Sequence, residues 1–262
     1  MRKYFTVLKM AAQQSLVYRF NFFANFFGGF LSLVVMVYVW LAVYRNGGMA
    51  GTYSLRSLVA YYLIMFVIFL SYKGVGDIAW HLGDYIRLGS FSSFLVKPMD
   101  LTKYYLFRSM GLFMYDFLVL IFIISSLLFF PKLGFLPVNV LLFVPSLILA
   151  ATIYFFVFYI IGLLAFHFGM VMGINFLMYN VVAFFSGSML PLDLLPKGLQ
   201  WWANFLPFKY IGFFPLSVIQ GKLSGHEIIW GFAGGLLWLV WFYLFAKFIY
   251  YSGVEKYEAS GA

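Results

Sequence analysis

The sequence contains no cysteine and few charged residues. Without cysteine, the chain can form no disulfide, no thiolate metal site and no cysteine nucleophile. Only 10% of its 262 residues are charged, against about 25% in soluble domains, and 65% are hydrophobic. A soluble protein of this composition could not cover its core with polar surface. We therefore predict an all-α, polytopic membrane protein, whose spans need roughly 20 apolar residues each.

Motifs for nucleotide binding and catalysis are also missing. A Walker A loop needs Gly-x4-Gly-Lys followed by Ser or Thr, so that backbone amides surround a phosphate. Gly221 and Lys222 are followed by Leu223 instead, and no Gly-x-Gly-x-x-Gly occurs. The three histidines, His81, His167 and His226, are scattered along the sequence, and Ser188 lacks a nucleophile-elbow pattern. We predict that the chain is not an enzyme and binds no cofactor or metal itself.

Uncharged runs predict six spans in a single transmembrane domain, residues 1–262. Leu133–Leu192 contains 60 residues without a charge. As one helix it would be about 90 Å long, so we predict a break around Gly162–Gly173. The predicted spans are residues 20–44, 54–72, 105–130, 138–166, 169–190 and 227–250.

Lysine and arginine predict the orientation of these spans. Segment 1–19 and loop 73–108 together hold nine of them, against six in the segments of the opposite side. The positive-inside rule therefore places both termini in the cytoplasm of a multi-pass protein of the plasma or inner membrane. The net charge of +9 is interpreted in the same way, and no nucleic-acid partner is predicted.

Residues 2–16 alternate polar and apolar positions at helical spacing. Arg2, Thr6, Lys9 and Gln13 step by four, three and four, and the apolar residues beginning at Phe5 step in the same way. This pattern predicts an amphipathic helix that lies in the membrane interface. A plain cytosolic tail is the alternative.

The coupling loop, residues 73–104, is the one long cytoplasmic connection in this topology. Apolar residues form one helical stripe, and charged residues surround it. A connector needs no amphipathic helix, so we predict that this one offers a surface to a partner. The stripe is Ile78, Leu82, Tyr85 and Ile86, and the charges are Asp77, Asp84 and Arg87.

Polar residues inside the predicted spans are few. Asp116 lies in the third span, where an ionised carboxylate costs roughly 3 kcal/mol. It is either a counter-ion or proton site for transport, or a structural residue that a neighbouring helix satisfies. Asn175 and Asn180 on the fifth span favour interhelical hydrogen bonds. Glu227 suits the N-terminus of the last helix, and the aromatic residues are interpreted mostly as lipid-facing or belt residues.

The segment 191–225 is too broken to span and too apolar for an ordinary loop. Pro191 is expected to end the fifth helix, Asp193 to cap a new helix, and Pro207 to divide the segment into two pieces. Trp201 and Trp202 suit the headgroup level. We predict an external re-entrant helical hairpin, with an aromatic-belt loop as the alternative.

The stretch FFSGSMLPLDLLPKGLQWWANFLPFKYIGFFPLSVIQGKLSG, residues 184–225, resembles permease subunits of type-2 ATP-binding-cassette exporters, in the branch of viologen-like and antibiotic export. Residues 86–108 are similar to the same branch, and the resemblance spans nearly the whole chain. The matching residues are Ser186, Gly187, Pro191, Leu192, Asp193, Pro196, Leu206, Pro207, Phe208, Tyr210, Pro215 and Gly221, and earlier Gly89, Leu95, Lys97, Pro98 and Tyr104.

The resemblance implies an assembly and its working parts. Two permeases pair, as a homodimer or with a sister permease, and two cytosolic ATPase subunits bind ATP and magnesium beneath them. A coupling helix at about Gly76–Leu88 contacts the ATPase through Asp77, His81, Asp84 and Arg87. The fifth span and the external hairpin form the outward gate. The candidate path or gate residues are Asp116, Asn175, Asn180, Trp201, Trp202 and Phe208.

The function implied is ATP-powered export of an amphipathic or cationic, drug-like compound. One alternative is export of a lipid-linked glycan. Another is a stand-alone secondary transporter that uses Asp116 as its proton or cation site. Matching inverted halves, typical of many secondary transporters, are not visible in the sequence.

Overall fold

Helices make up almost all regular structure in the computed structural model, which describes residues 2–17, 19–51, 53–113 and 137–257. The exception within these ranges is an isolated antiparallel bridge between Ala50 and Tyr53. The predicted all-α class is confirmed for this part of the chain. Asp116 and most of the third predicted span, 105–130, lie outside the described residues.

The helices follow one another along the chain with short connections. In order they are α1 (Arg2–Val17), α2 (Arg19–Arg45), α3 (Leu55–Gly76), α4 (Ile78–Arg87), α5 (Ser92–Leu95), α6 (residues 101–113), α7 (Pro137–Leu163), α8 (Ala165–Phe168), α9 (Met172–Phe185), α10 (Lys197–Phe205), α11 (Phe213–Ile219) and α12 (Gly225–Val254). Two 3-10 turns, Leu192–Leu194 and Pro207–Tyr210, flank α10.

Four helices in the described ranges are long and apolar enough to cross a membrane: Phe26–Arg45, Leu55–Tyr72, Val138–Phe168 and Gly225–Val254. Their burial differs. In the run that contains α7, 83% of the most apolar window is buried, against 6% for α2 and 11% for α12. α7 is therefore the central helix, packed by α3, α4, α11 and α12. α2 and α12 turn apolar residues such as Phe27 and Leu237 outward, as lipid contact requires.

The fifth predicted span, 169–190, is a shorter helix in the structure. α9 has 14 residues, which is about 21 Å of helix. It ends at Phe185 because Gly187 adopts a φ of 86° and the Ser186 carbonyl accepts a hydrogen bond from the amide of Phe213. The helix therefore stops before Pro191, which the sequence had suggested as its end.

The connection between α7 and α9 lies inside the region Gly162–Gly173 where the sequence predicts a break. It contains the single turn of α8 and then Gly169 with a φ of 68°. A left-handed conformation is one that glycine adopts without strain, so the chain turns here at little cost.

α1 packs against the segment that precedes and forms α6. The Tyr4 hydroxyl accepts a hydrogen bond from the amide of Asp100 at 3.0 Å, and its ring lies 5.5 Å from that of Phe107. Tyr4 and Ala11 are buried, whereas Phe5 is 60% exposed. Phe5, the first residue of the predicted apolar stripe, nevertheless takes part in the same contact, with its ring 5.9 Å from that of Phe107.

α12 begins with a capping box. The Ser224 hydroxyl accepts from the amide of Glu227 at 3.3 Å, and the Glu227 carboxylate accepts from the amide of Ser224 at 2.8 Å. Each side chain satisfies a backbone donor that the helix leaves open. The structural interpretation of Glu227 is confirmed.

Candidate functional site

α4 is buried along one side of its length. Ile78, Leu82 and Ile86, three members of the predicted stripe, are at most 4% exposed. Tyr85, the fourth, is half-buried, and its hydroxyl pairs with the Ser93 hydroxyl at 2.7 Å. The period of about 3.6 residues therefore aligns these apolar side chains on α7 and α8.

The opposite side of α4 is exposed and polar. Asp77 lies at the junction of α3 and α4, and His81, Asp84 and Arg87 follow on the exposed face. Asp84 and Arg87 form an ion pair with 3.3 Å between Oδ1 and Nη2. The structure thus brings the four predicted ATPase-coupling residues onto one accessible strip, beside Leu88, which is 61% exposed.

Small residues let α4 approach its neighbours closely. A Cβ atom on Gly162 of α7 would lie 3.0 Å from the Cβ atom of Leu82, and one on Gly83 would lie 2.7 Å from Cγ2 of Val171. α4 is thus seated directly on α7 and on the residue that precedes α9. A displacement of α4 would have to move or deform these contacts, because packed interiors have little free space.

An aromatic cluster ties the end of α4 to the end of α12. Phe91 is fully buried, and its amide donates to the carbonyl of Tyr85. Its ring lies 5.1 Å from that of Phe166 and 5.4 Å from that of Tyr257. The coupling loop is therefore joined to α8 and to the residues that follow α12.

Hydroxyl groups surround the start of α4. Tyr154 of α7 and Tyr179 of α9 are hydrogen-bonded to each other, and both interact electrostatically with Asp77. Gly76 lies against both hydroxyls, where a side chain would collide. This cluster links α3, α4, α7 and α9 at one point.

The two predicted asparagines on α9 do not share a face. Asn175 is fully buried, and neither amide atom has a hydrogen-bond partner in the described ranges. Asn180 is exposed and donates to the carbonyl of Phe176 in its own helix at 2.8 Å. Val171 and Tyr179 lie four residues to either side of Asn175 and touch Gly83 and Gly76. Asn175 therefore faces α4 between these two contacts, away from the position of Asn180.

The segment 186–222 lies along α3 and enters the fold from the end at which α3 begins. Leu55 and Tyr72 are about 25 Å apart along a helix. Near Leu55, the Tyr53 hydroxyl donates a hydrogen bond to the Asp193 carboxylate. At the other end, the Tyr72 hydroxyl donates to the carbonyl of Ile211 at 3.3 Å. Tyr61 donates to the carbonyl of Gly187 at 2.6 Å.

The tyrosines of α3 satisfy polar groups of the non-helical backbone that packs beside this apolar helix. Within lipid, irregular backbone is tolerated only where protein satisfies its polar groups. The hydroxyls of Tyr61, Tyr62 and Tyr72 each donate to a carbonyl of segment 186–222. The interpretation of the tyrosines as mostly lipid-facing thus fails for these three, which are at most 4% exposed.

The two pieces of the hairpin differ in environment. On α10, Trp201 and Trp202 are 61% and 52% exposed. In α11 every side chain from Phe214 to Ile219 is buried, against α7 and α3. Phe208, between the two pieces, is 8% exposed and packs on Phe185. The predicted gate residues Trp201, Trp202 and Phe208 are therefore on different sides of the hairpin.

Asp193 does not cap α10, contrary to expectation. Its Oδ2 accepts a hydrogen bond from the Tyr53 hydroxyl at 2.7 Å, and that hydroxyl accepts one from Nζ of Lys222 at 3.3 Å. Burial and the Asp193 hydrogen bond raise the pKa of Tyr53, so its hydroxyl remains a donor. Burial lowers the pKa of Lys222, and Asp193 opposes that shift.

Two cavities of about 600 Å³ each adjoin segment 186–222. One is a mainly apolar groove between α2 and α3, into which Ser32, Tyr62 and Ser188 bring polar groups. The other contains Tyr53, Asp193 and Lys222. In the part of the chain that the structure describes, no three His, Asp or Glu residues are grouped to hold a metal.

The sequence did not predict the hydrogen bonds from the α3 tyrosines to segment 186–222, nor the Tyr53–Asp193–Lys222 cluster. Their members are 140 and 169 residues apart, beyond the reach of any periodicity. One signal was present: a tyrosine hydroxyl in an apolar span needs a hydrogen-bond partner, and α3 has several such residues in sequence.

The long apolar helices are those of a multi-pass helical membrane protein. A family model described as ABC-2 family transporter protein matches residues 30–261. The chain therefore belongs to the ABC-2 family of transporter proteins. Proteins of this family are membrane components and normally work with an ATPase partner. A search of curated proteins found no match.

Proposed function

We propose that the chain is the permease subunit of an exporter in which separate cytosolic ATPase subunits bind ATP and magnesium and act on α4. The observation that carries this proposal is the seating of α4: one side is packed on α7, α8 and Val171, and the other exposes Asp77, His81, Asp84 and Arg87. A force applied to the exposed strip would reach the central helix directly.

The proposed topology has six spans, with both termini, α1 and α4 in the cytoplasm and the hairpin at the outer face of the plasma or inner membrane. Four long apolar helices support it. α6 and α9 would belong to the third and fifth spans. α4 follows the end of α3 that is distant from Asp193. This agrees with a coupling loop and an α10 that lie on opposite sides of the membrane.

The proposed assembly contains two permeases and two ATPases. The exposed side of α9 supports a permease partner, since Phe176 and Leu177 are 71% and 64% exposed there, beside Asn180. Apolar helix faces of this kind pack either on lipid or on another helix. Either a second copy or a sister permease would fit.

The proposed cargo is an amphipathic or cationic compound, in keeping with the resemblance to viologen-like and antibiotic exporters. The groove between α2 and α3 supports an amphipathic cargo, because its wall is mainly apolar and carries hydroxyl groups. Its volume of about 600 Å³ suits a drug-sized molecule. A lipid-linked glycan, whose sugar part is large and polar, would fit such a groove only through its lipid tail.

The Asp84→Lys substitution is expected to reduce ATPase binding and coupled transport by about tenfold, because it reverses a charge on the exposed strip. The loss of the exposed Asp84–Arg87 pair itself should change stability by less than about 1 kcal/mol. The measurement is ATP-driven flux together with the amount of ATPase that co-purifies. Lys197→Glu, a charge reversal on exposed α10, is the matched control and should leave both unchanged.

The double variant Asp84→Arg, Arg87→Asp separates two explanations. It rebuilds the ion pair within α4 but leaves the strip with inverted charges. If the ATPase recognises the charges of this exposed strip, ATP hydrolysis remains uncoupled from transport in the double variant. Full recovery would contradict our assignment of α4, since it would mean that only the internal pair matters.

Affinity purification of the tagged chain tests the partner itself. We expect a cytosolic protein with a Walker A motif to co-purify with the wild-type chain and to be depleted with Asp84→Lys. A chain that is active in transport yet binds no such protein would contradict the proposed function.

A further inference from the structure

Lys222 places a cation on an aromatic face at the end of the hairpin. Its Nζ lies 4.4 Å from the centre of the Tyr53 ring and 3.3 Å from the Tyr53 hydroxyl. The same hydroxyl donates to Asp193 Oδ2 at 2.7 Å. The face of a tyrosine ring attracts an ammonium ion, because the ring's electron density makes that face negative. The hydrogen bond from the Tyr53 hydroxyl to the Asp193 carboxylate adds to this negative character.

The cavity beside this contact carries more negative than positive charge. Its volume is about 600 Å³, which is within the range of small-molecule sites. The charged lining residues are Asp193, Glu227 and Lys222, which give two acidic residues and one lysine; the Glu227 carboxylate is held by Ser224 in the capping box of α12. If Lys222 swung outward, only acidic charge would remain in the lining. Asp193 and Lys222 are both exposed, so the cavity opens to solvent.

Ser217 supplies an unused polar group in the same wall. It is 1% exposed, lies on α11 and lines the cavity. Its Oγ has no hydrogen-bond partner among the described residues. Buried hydroxyl groups normally have a partner, so the unpaired hydroxyl in this cavity wall is an exception that a bound ligand would explain.

We propose that this cavity is a binding site for an organic ammonium ion and that Lys222 is a tethered cation which occupies it until such a ligand displaces it. The ligand's charged group takes the place of Nζ on the Tyr53 ring beside Asp193, and its body contacts Phe213, Leu223 and Ser217. The proposal rests on the proposed function only in regarding the bound cation as cargo that leaves at the outer face.

A tethered lysine suits this role physically. The pKa of Lys222 is lowered by burial, so the cavity solvates its ammonium less well than water does. The side chain is nevertheless exposed and close to the opening, so it can return to water on its flexible stem. An incoming cation with a larger apolar body gains contacts in the cavity that lysine does not make.

The test is binding of benzyltrimethylammonium to the full-length chain in lipid nanodiscs, by calorimetry without ATP or ATPase. Lys222→Met should increase the affinity by about tenfold, because the competing cation is removed. Asp193→Asn and Tyr53→Leu should each decrease it by about tenfold or more. Lys197→Met removes an exposed lysine that does not line the cavity and should leave the affinity unchanged.

Opposite results would overturn the proposal. An unchanged or lower affinity in Lys222→Met would do so, as would equal binding of the uncharged isostere neopentylbenzene in wild type and Asp193→Asn. Binding of inorganic phosphate that Lys222→Met abolishes would identify an anion site instead. Lys222→Gln provides a second neutral variant if Lys222→Met does not fold, and thermal unfolding of each variant identifies folding defects.

The same experiment separates this proposal from the proposed function. Charge-dependent binding without ATP-driven flux would support the site and contradict the exporter. ATP-driven flux that is insensitive to Lys222, Asp193 and Tyr53, with no binding of the probe, would contradict the site and leave the exporter in place.

Discussion

Replacing Leu82 with alanine is expected to reduce ATP-driven transport by about tenfold or more, although Leu82 touches neither ATPase nor cargo in the proposed assembly. Leu82 is fully buried and lies against Gly162 of α7. Truncation would leave a cavity and weaken the contact between α4 and α7 by about 2–5 kcal/mol. A loosened α4 would still bind the ATPase but would transmit less of its motion to the central helix.

The measurement is the ratio of transport to ATP hydrolysis in the reconstituted complex, with thermal unfolding recorded in parallel. Leu236→Ala is the matched control, since Leu236 is 55% exposed on α12. It should leave the ratio unchanged. Equal ratios for wild type and Leu82→Ala, with α4 shown to be loosened by hydrogen exchange, would contradict the role assigned to the α4–α7 contact.

Replacing Gly231 with alanine is expected to lower the free energy of unfolding by about 1–3 kcal/mol and to displace the hairpin. An alanine Cβ would collide with the Phe214 ring, with Cζ at 2.7 Å. Phe214 is 5% exposed in α11, so its ring has little room to move. Because Gly231 has no side chain, α11, the buried part of the hairpin, can pack closely on α12 at this position.

Thermal unfolding of the purified chain measures this effect. Gly198→Ala is the control: nothing lies within 4 Å of its Cβ position on α10, so a helix-favouring residue should be neutral or slightly stabilising. The double variant Gly231→Ala, Phe214→Leu should recover part of the stability, because the smaller side chain makes room. A fully stable Gly231→Ala protein would contradict the close packing of α11 on α12.

Local patterns in the sequence predicted local structure well. The stripe of Ile78, Leu82 and Ile86 indicated α4 and its buried side, because helical periodicity is determined by neighbours three and four residues apart. The place of Glu227 at the start of α12 followed from a short-range rule too, because a carboxylate suits a helix N-terminus. The capping box with Ser224 is what the structure adds.

Long-range relations were not predictable in this way. The end of α9 depends on Phe213, which bonds the Ser186 carbonyl from the far side of the hairpin. The role of Asp193 depends on Tyr53, 140 residues earlier. The sequence divided the hairpin into two pieces at Pro207 but did not separate them by burial. Only the tertiary fold distinguishes exposed α10 from buried α11.

Transport in proteoliposomes is the most direct test of the central claim, that a separate ATPase drives this permease through α4. The chain is reconstituted alone or with the ATPase that co-purifies with it, and flux of benzyltrimethylammonium is followed with either ATP or a proton gradient. We predict flux only with both the ATPase and hydrolysable ATP, and its loss in Asp84→Lys. Flux by the chain alone, driven by the proton gradient and unaffected by ATP, would contradict this claim.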